Sequence, residues 1–452
     1  MDAAPAWTLE QATFGEQLDP LHTVNPDHAW YTDLDALLPP DLYGVTAKLE
    51  GLFRAHQADT RSLHVGLVGH GGTGKSTLVR QAMAGLRDRG ILPVYVNARE
   101  SFDHLDMAFA DVLLVLTEAV VQALAYDTNT LTSIVDPTQL ELARAWFLDL
   151  LGEDSDRAEL FGELDSGANL DLPLVAGLAA RIKSTLRSNN PHRAAIRMRA
   201  SRDPDALVHG ANVVLDAMQE ALGGGRRRLC VIFDSLEKID DRQQIDLAVL
   251  RRADELRRLR CHVIYCLSPA DQYTPITTQI DQIFRLVEVP VIPVRTRRDA
   301  PGDAVDGVAL EAIKQLLGKR LVLEELFATP DDCVKAIAHW SGGRLRDLID
   351  ITRQACEFGY FDAHADKVDL EHIERAARKI AARRVTVMTA SCWTRAVEIH
   401  ADKQISNREE DALMVQRSLV LGYDGLPWWD VHPFVLQDGR FWRATGGIGG
   451  SD

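Results

Sequence analysis

The chain has 452 residues, 46% hydrophobic and 26% charged, ordinary values for a soluble globular protein, which exclude a wholly disordered chain. That length calls for two or three domains. The formal net charge of −16, from 50 basic and 66 acidic residues, argues against a general nucleic-acid coat protein but leaves room for a local basic patch.

Residues 1–60 read as a lead-in broken by Pro20, Pro26, Pro39 and Pro40, with a helix expected over Tyr43–Ala58. The first residues lack a basic stretch followed by an apolar core, so no secretory signal is visible and a cytoplasmic location is expected. His28, Trp30 and Tyr31 are open between two readings, an aromatic wall beside a ligand or plain core packing.

Leu63–Val68 is an apolar run of strand length, and a helical pattern starts at Ser76. Between them stands Gly69-His70-Gly71-Gly72-Thr73-Gly74-Lys75-Ser76-Thr77. The spacing G-x-x-x-x-G-K-S in a strand–loop–helix context is that of a phosphate-binding loop. Glycines let successive N–H groups curl inward, and the helix N-terminus adds partial positive charge. Gly69, Gly71, Gly72, Thr73, Gly74, Lys75, Ser76 and Thr77 are therefore the candidate nucleotide contacts. Lys75 suits the β- and γ-phosphates and Ser76 a Mg²⁺ ion, which makes ATP and Mg²⁺ the expected cofactors.

Ile91–Asn97 is the second expected strand, and from about 101 to 222 the pattern is helical. Met107–Ala125, Gln139–Leu151, Leu174–Leu186 and Asp205–Leu222 are the expected helices, and Glu153–Asp171 an acidic connector. In Met107–Ala125 the polar residues Asp111, Glu118 and Gln122 share one face, so it reads as an amphipathic helix and not a membrane span. The short basic stretch Arg193, Arg197, Arg199 and Arg202 is open between a solvated face and a docking site.

Leu229–Asp234 is an apolar strand ending in Asp, which suits a buried parallel strand whose end faces the ligand. Asp234 is the candidate second Mg²⁺ residue. Glu237, the nearest carboxylate after it, is open between positioning an attacking water and standing as a solvated turn residue. A fourth strand, Cys261–Leu267, ends at Ser268, which is open between contacting the γ-phosphate or that water and serving as a simple turn residue. A fifth spans about 284–293 and carries Arg285, a candidate for reaching a neighbouring subunit.

Helices are expected over Val308–Leu317, Leu321–Phe327, Pro330–Trp340, Arg344–Gly359 and Leu370–Arg384. Ser341-Gly342-Gly343-Arg344-Leu345-Arg346 puts two arginines on a first helical turn, where the macrodipole disfavours cations. Their presence there suggests an anionic partner, with Arg346 as the candidate for the γ-phosphate and a plain surface salt bridge as the alternative. Arg375, Arg378, Lys379, Arg383 and Arg384 suit the C-terminal end of their helix, with a phosphate-backbone contact as the alternative. After two more helices, Leu419–Tyr423 and Leu426–Val431 flank Asp424-Gly425, a hairpin signal. This end reads as a winged helix with few basic residues, and Trp428 and Trp429 as an apolar docking surface. The Gly-rich tail 446–452 is expected to be disordered. Six cysteines without a C-x-x-C pair read as reduced thiols, with a zinc site as the alternative.

The ordered set of phosphate loop, Asp-ended strand, polar-ended strand, lid with S-G-G-x-x-R and terminal hairpin module resembles the AAA+ and STAND branch of P-loop ATPases. Its layout is similar to that of origin-recognition-type ATPases and bacterial STAND ATPases. The resemblance implies an α/β fold: a parallel-sheet core over 61–300 with a helical insertion at about 101–222, a helical lid over 301–384 and a winged helix over 385–445. It gives Lys75, Ser76 and Asp234 the nucleotide and metal roles and Arg346 a γ-phosphate-sensing role. It implies an ATP-hydrolysing switch coupled to oligomerisation or a partner, in bacteria a role in defence. Members often carry an acidic residue where this chain has Ser235, so slow hydrolysis is expected. A homo-oligomer or a separate effector protein is the expected partner, with nucleic acid disfavoured by net charge and no membrane. The competing readings are a DNA-associated loader or motor and a non-catalytic ATP-bound scaffold.

Overall fold

In this computed structural model the described residues are 4–40, 43–56, 61–103, 105–125, 145–146, 184–185, 191–222, 228–239, 241–273, 282–295, 306–423 and 428–445. Five parallel strands form the central sheet: β1 (His64–Gly69), β2 (Leu92–Asn97), β3 (Leu229–Asp234), β4 (His262–Leu267) and β5 (Arg285–Val289). Their order is β2-β3-β4-β1-β5, and Asn97 pairs with Asp234 as Gly69 pairs with Val289. The strand ends therefore line one rim, where ligands of open α/β sheets bind.

Alternation along each strand divides the core in two. Val65, Leu67, Ile232, Ile264 and Cys266 face one side, with helix α3 (Lys75–Asp88), helix α2 (Val45–His56) and the lid. Val231, Phe233, Val263 and Tyr265 face the other, with helix α4 (Phe109–Ala125), helix α6 (Pro204–Ala221) and the C-terminal module. Each face of the sheet thus continues into a different accessory unit.

The lead-in is not a spacer. It is a strap along the lid. Helix α1 (Leu9–Phe14) packs on lid helix α9 (Leu345–Phe361), with the rings of Phe14 and Tyr360 edge to face at 5.3 Å. The Ala6 N–H donates to the Arg320 carbonyl at 2.8 Å, and the Val322 N–H donates to the Ala6 carbonyl at 2.9 Å. At its other end Arg80 of α3 donates to the Asn25 side chain at 2.7 Å.

In the insertion, Asp111 of α4 is not on a solvated face as its spacing suggested. It is 1% exposed and takes charge-assisted bonds from Arg193, at 3.1 Å, and Arg197, both on helix α5 (Pro191–Arg202). Those two arginines are an internal clamp and neither a solvated face nor a docking site. A buried carboxylate needs such partners. Helices expected over Gln139–Leu151 and Leu174–Leu186, and the connector Glu153–Asp171, lie outside the described residues except at 145–146 and 184–185.

The lid contains α7 (Gly307–Gly318), α8 (Pro330–Ser341), α9 and α10 (Leu370–Arg384). After α11 (Ala390–Asp402) and α12 (Glu409–Gln416), β6 (Val420–Tyr423) and β7 (Trp428–Val431) pair antiparallel. The hairpin turn and the Gly-rich tail lie outside the described residues. One expectation for this module is corrected. Trp428 and Trp429 are 2% and 3% exposed, so they form no docking surface. Trp428 stacks on Tyr423 at 4.5 Å, and Trp429 meets His70 of the phosphate loop edge to face at 5.9 Å. Adjacent aromatics on a strand point to opposite faces, and both faces of this hairpin are covered.

All six cysteines are buried free thiols, and no cluster of metal-ligating residues occurs among the described residues. No helix among them is long and apolar enough to cross a membrane.

Candidate nucleotide-binding site

β1 ends at Gly69, and the chain turns through Gly72 (φ 88°) and Gly74 (φ 94°) into α3. The left-handed backbone favours glycine, and at Gly72 a Cβ would also lie 2.6 Å from that of Arg346. The Thr73 hydroxyl donates to the His70 carbonyl at 3.0 Å and closes the loop. Ser76 and Thr77, on the first turn of α3, face a cavity with Gly72, Gly74 and Lys75. Gly69 and Gly71 do not line it. Gly69 packs on Val289 of β5, and the Gly71 carbonyl accepts from Arg344 Nε at 2.6 Å.

The cavity reaches well beyond the loop. Its walls include Trp30, Tyr31 and Tyr43 from the N-terminal segment, Glu237 and Lys238 after β3, and Leu316, Arg320, Leu345, Arg346 and Ile349 from the lid. Trp30 is buried, as core packing requires, and it also lines the cavity. His28 is off the wall and meets the Trp30 ring edge to face at 4.7 Å.

Lys75 Nζ donates to the carbonyls of Gly69 at 2.5 Å and His70 at 3.0 Å, and pairs with Glu237 at 3.3 Å. The turn after β3 explains the pairing. Ser235 has φ 67°, an uncommon value for a side chain of this kind, and starts the 3-10 turn Leu236–Lys238. That turn carries Glu237 back to the phosphate loop, two residues beyond where the family's acidic residue would stand. Glu237 Oε2 is buried without a hydrogen-bond partner among the described residues.

Asp234 is 1% exposed, and its carboxylate accepts from the Tyr95 hydroxyl at 2.6 Å and the Ser235 N–H at 2.7 Å. Ser268 stays outside the nucleotide cavity. Its N–H donates to Asp271 at 2.8 Å, its Oγ accepts from Ala270, and it lines a small void shared with Glu237. Arg285 is at the start of β5, at the far end of the sheet from the loop.

The two arginines of the lid divide their tasks. Arg344 donates to Gly71 and, at 2.7 Å, to Asp347. Arg346 donates its backbone N–H to the Gly72 carbonyl at 3.0 Å, while its Nε is buried without an acceptor among the described residues. Burial and nearby arginines lower the Arg346 pKa against the pull of Asp347 and Glu237. A buried guanidinium nitrogen left without an acceptor beside a phosphate loop fits a nucleotide anion. The glycine cradle and this orphaned nitrogen together fit ATP.

Sequence reading missed the polar ties behind this site. His70 Nδ1 faces the Val415 carbonyl at 3.2 Å, and its Nε2 accepts from the Gly422 N–H at 3.1 Å, which puts the ring proton on Nδ1. The phosphate loop is thereby bonded to the C-terminal module. Asp347, 0% exposed, joins Arg344, Arg384 of α10 and His432. Burial would raise its carboxyl, but Arg344, Arg384 and His432 hold it well below the usual range. The Tyr423 hydroxyl donates to the Gly342 carbonyl at 3.1 Å.

Residues 42–264 match the family described as AAA ATPase domain. The chain carries an AAA+ P-loop ATPase domain. No curated protein matches the chain. Among solved structures it is similar to Drosophila ORC bound to DNA, at 12% identity and TM-score 0.40, covering 92% of this chain and 79% of that one. The Aeropyrum pernix ORC1 protein in complex with DNA is similar at 14% identity and TM-score 0.36, covering 91% and 87%. The Walker-type ATPase PABY2304 of Pyrococcus abyssi is similar at 12% and 0.40, covering 87% and 93%. One expectation about the AAA+ chain is corrected here. Net charge was taken to favour protein partners over nucleic acid, yet two of these similar structures are described as bound to DNA. Charge acts locally. In this chain of net charge −16, His56, Arg61, Arg257, Arg258, Arg260 and Arg285 line one groove at the start of the sheet.

Proposed function

We propose that this AAA+ chain is an ATP-driven conformational switch acting at DNA, in which nucleotide state sets how the lid and C-terminal module hold the phosphate loop. One observation carries the reading: His70 of the phosphate loop bonds the C-terminal module at Val415 and Gly422, while Arg344 and Arg346 of the lid bond the same loop. A ligand shifts a conformational equilibrium only by contacting its states differently. Phosphates held against Gly72, Lys75 and Arg346 contact both sides of that junction.

In this reading Lys75 and Arg346 would neutralise the phosphates, while Ser76 and Asp234 would hold Mg²⁺. The ion supplies charge stabilisation at the phosphate oxygens. Glu237 orients the attacking water, and Ser268 supports it from behind through their shared void. The C-terminal module, read as a winged helix, is the element whose position reports hydrolysis. The basic groove favours DNA as the partner, although Arg258 and Arg260 also pair with Asp205 and Asp216. No observation favours the STAND-type or defence reading.

Amide hydrogen exchange with ATP and with ADP tests the switch. Protection over Leu419–Tyr423 should differ between the two nucleotides, and superimposable profiles would end this reading. For DNA, affinity should fall steeply with salt as counterions are released. A flat salt dependence would remove DNA as the partner.

A further inference from the structure

Among the described residues two arginines, Arg320 and Arg346, line the nucleotide cavity, and the proposed switch uses only Arg346. The other, Arg320, follows α7. Its guanidinium stands 5.9 Å over the Trp30 ring, and its carbonyl holds Ala6 of the strap. Nε and Nη1 are both buried without an acceptor among the described residues. Burial alone pulls its pKa down to about 10, with no carboxylate acting against it. Guanidinium has five donors and no acceptor. A donor held out of water without an acceptor is costly, so two such nitrogens on a partly buried side chain are explained by acceptors that a ligand brings.

The position of Arg320 decides which part of the ligand that is. Arg346 is tied to Gly72 at the phosphate loop, whereas Arg320 packs against Trp30, which shares the cavity wall with Tyr31 and Tyr43. We infer that Arg320 binds the base of the nucleotide, donating to its ring acceptors from a guanidinium plane held by Trp30. The inference rests on the nucleotide-binding reading. A planar fork of donors matches the in-plane lone pairs of a purine edge, which an ammonium group matches less well. The contact joins ligand, strap and first lid helix in either nucleotide state, while Arg346 reads the phosphate end.

The test is calorimetric titration of wild type, Arg320→Ala and Arg320→Lys with ATP, ADP and inorganic triphosphate, together with thermal unfolding without nucleotide. Arg320→Ala should weaken ATP and ADP by the same factor, about tenfold or more. Inorganic triphosphate, which has no base, should bind wild type and variant alike. Arg320→Lys should recover only part of the loss. Without nucleotide the alanine variant should unfold at the wild-type temperature or above it, because two buried donors without acceptors have been removed. Loss of ATP affinity with ADP spared, or a matching loss for triphosphate, would overturn the base assignment. Unchanged affinities with a lower unfolding temperature would make Arg320 structural and also overturn it. If wild type bound neither ATP nor ADP, the nucleotide reading itself would fall.

Discussion

Lys75 and Glu237 form an ion pair of side chains only 2% and 3% exposed, so substituting either acts on folding as well as on the ligand. Removing one partner of a buried pair leaves a charge without compensation and costs about 3–5 kcal/mol. Lys75→Ala should therefore lose nucleotide binding and also stability, by about that amount in chemical denaturation. Lys75→Ala with Glu237→Gln should regain most of the stability and none of the binding. Glu237→Gln alone should bind ATP and stop turnover, and undiminished turnover would remove Glu237 from the reaction. The spacing made Lys75 legible, because a phosphate loop is a local pattern. It also flagged Ser235 as a departure and Glu237 as the nearest carboxylate. The φ of 67° that brings Glu237 to Lys75 is a backbone state that composition does not encode. Arg320 was invisible because its meaning lies in the lack of an acceptor around it.

At the scale of elements, the junction between core and lid rests on a crossing of two backbones. Ile292 donates its N–H to the Gly343 carbonyl at 2.9 Å, and Gly343 has φ 82°. A Cβ on Gly343 would lie 1.9 Å from the Ile292 carbonyl oxygen, a contact that backbone cannot relieve by a rotamer change. Gly343→Ala should destabilise the chain by about 2–4 kcal/mol, measured by chemical denaturation. It should also weaken ATP, because Arg344 and Arg346 follow directly. Wild-type stability would mean that the crossing is looser than described. The strands of the core were legible as continuous apolar runs, and the lid helices as 3.6-residue patterns. The environment of a polar face was not. Asp111 has the spacing of a solvated residue, and only the packing of α5 against α4 makes it the buried centre of a clamp. Trp428 and Trp429 misled for the same reason, since a strand pattern does not say how many of its faces are covered.

Across the whole molecule, three buried histidines make stability depend on pH. His64 lies at the start of β1, His70 in the phosphate loop and His432 beside Asp347. Burial lowers their pKa values from 6.5 to about 4, about 3 and about 4. His64 and His70 are further lowered by neighbouring cations or a second histidine, and Asp347 pulls His432 the other way. Each takes up its proton in the unfolded chain near pH 6.5 and in the folded chain only well below pH 5. Between those values the unfolded state binds more protons, so stability rises with pH and is lost as pH falls from 6.5. Three such groups together should lower stability by about 4 kcal/mol between pH 7 and 5.5. Asp347, held low in the fold, keeps its contribution through this window and loses it only at stronger acidity. Chemical denaturation at the two pH values measures the change, and His70→Gln should remove about a third of it if a neutral amide can replace the ring at Gly422. A pH-independent stability would mean that the three rings reach protons in the folded chain. Two of them, His70 and His432, are the ties between the nucleotide site and the C-terminal module. The same acidification should therefore raise amide exchange at Gly422 before it reaches the centre of the sheet.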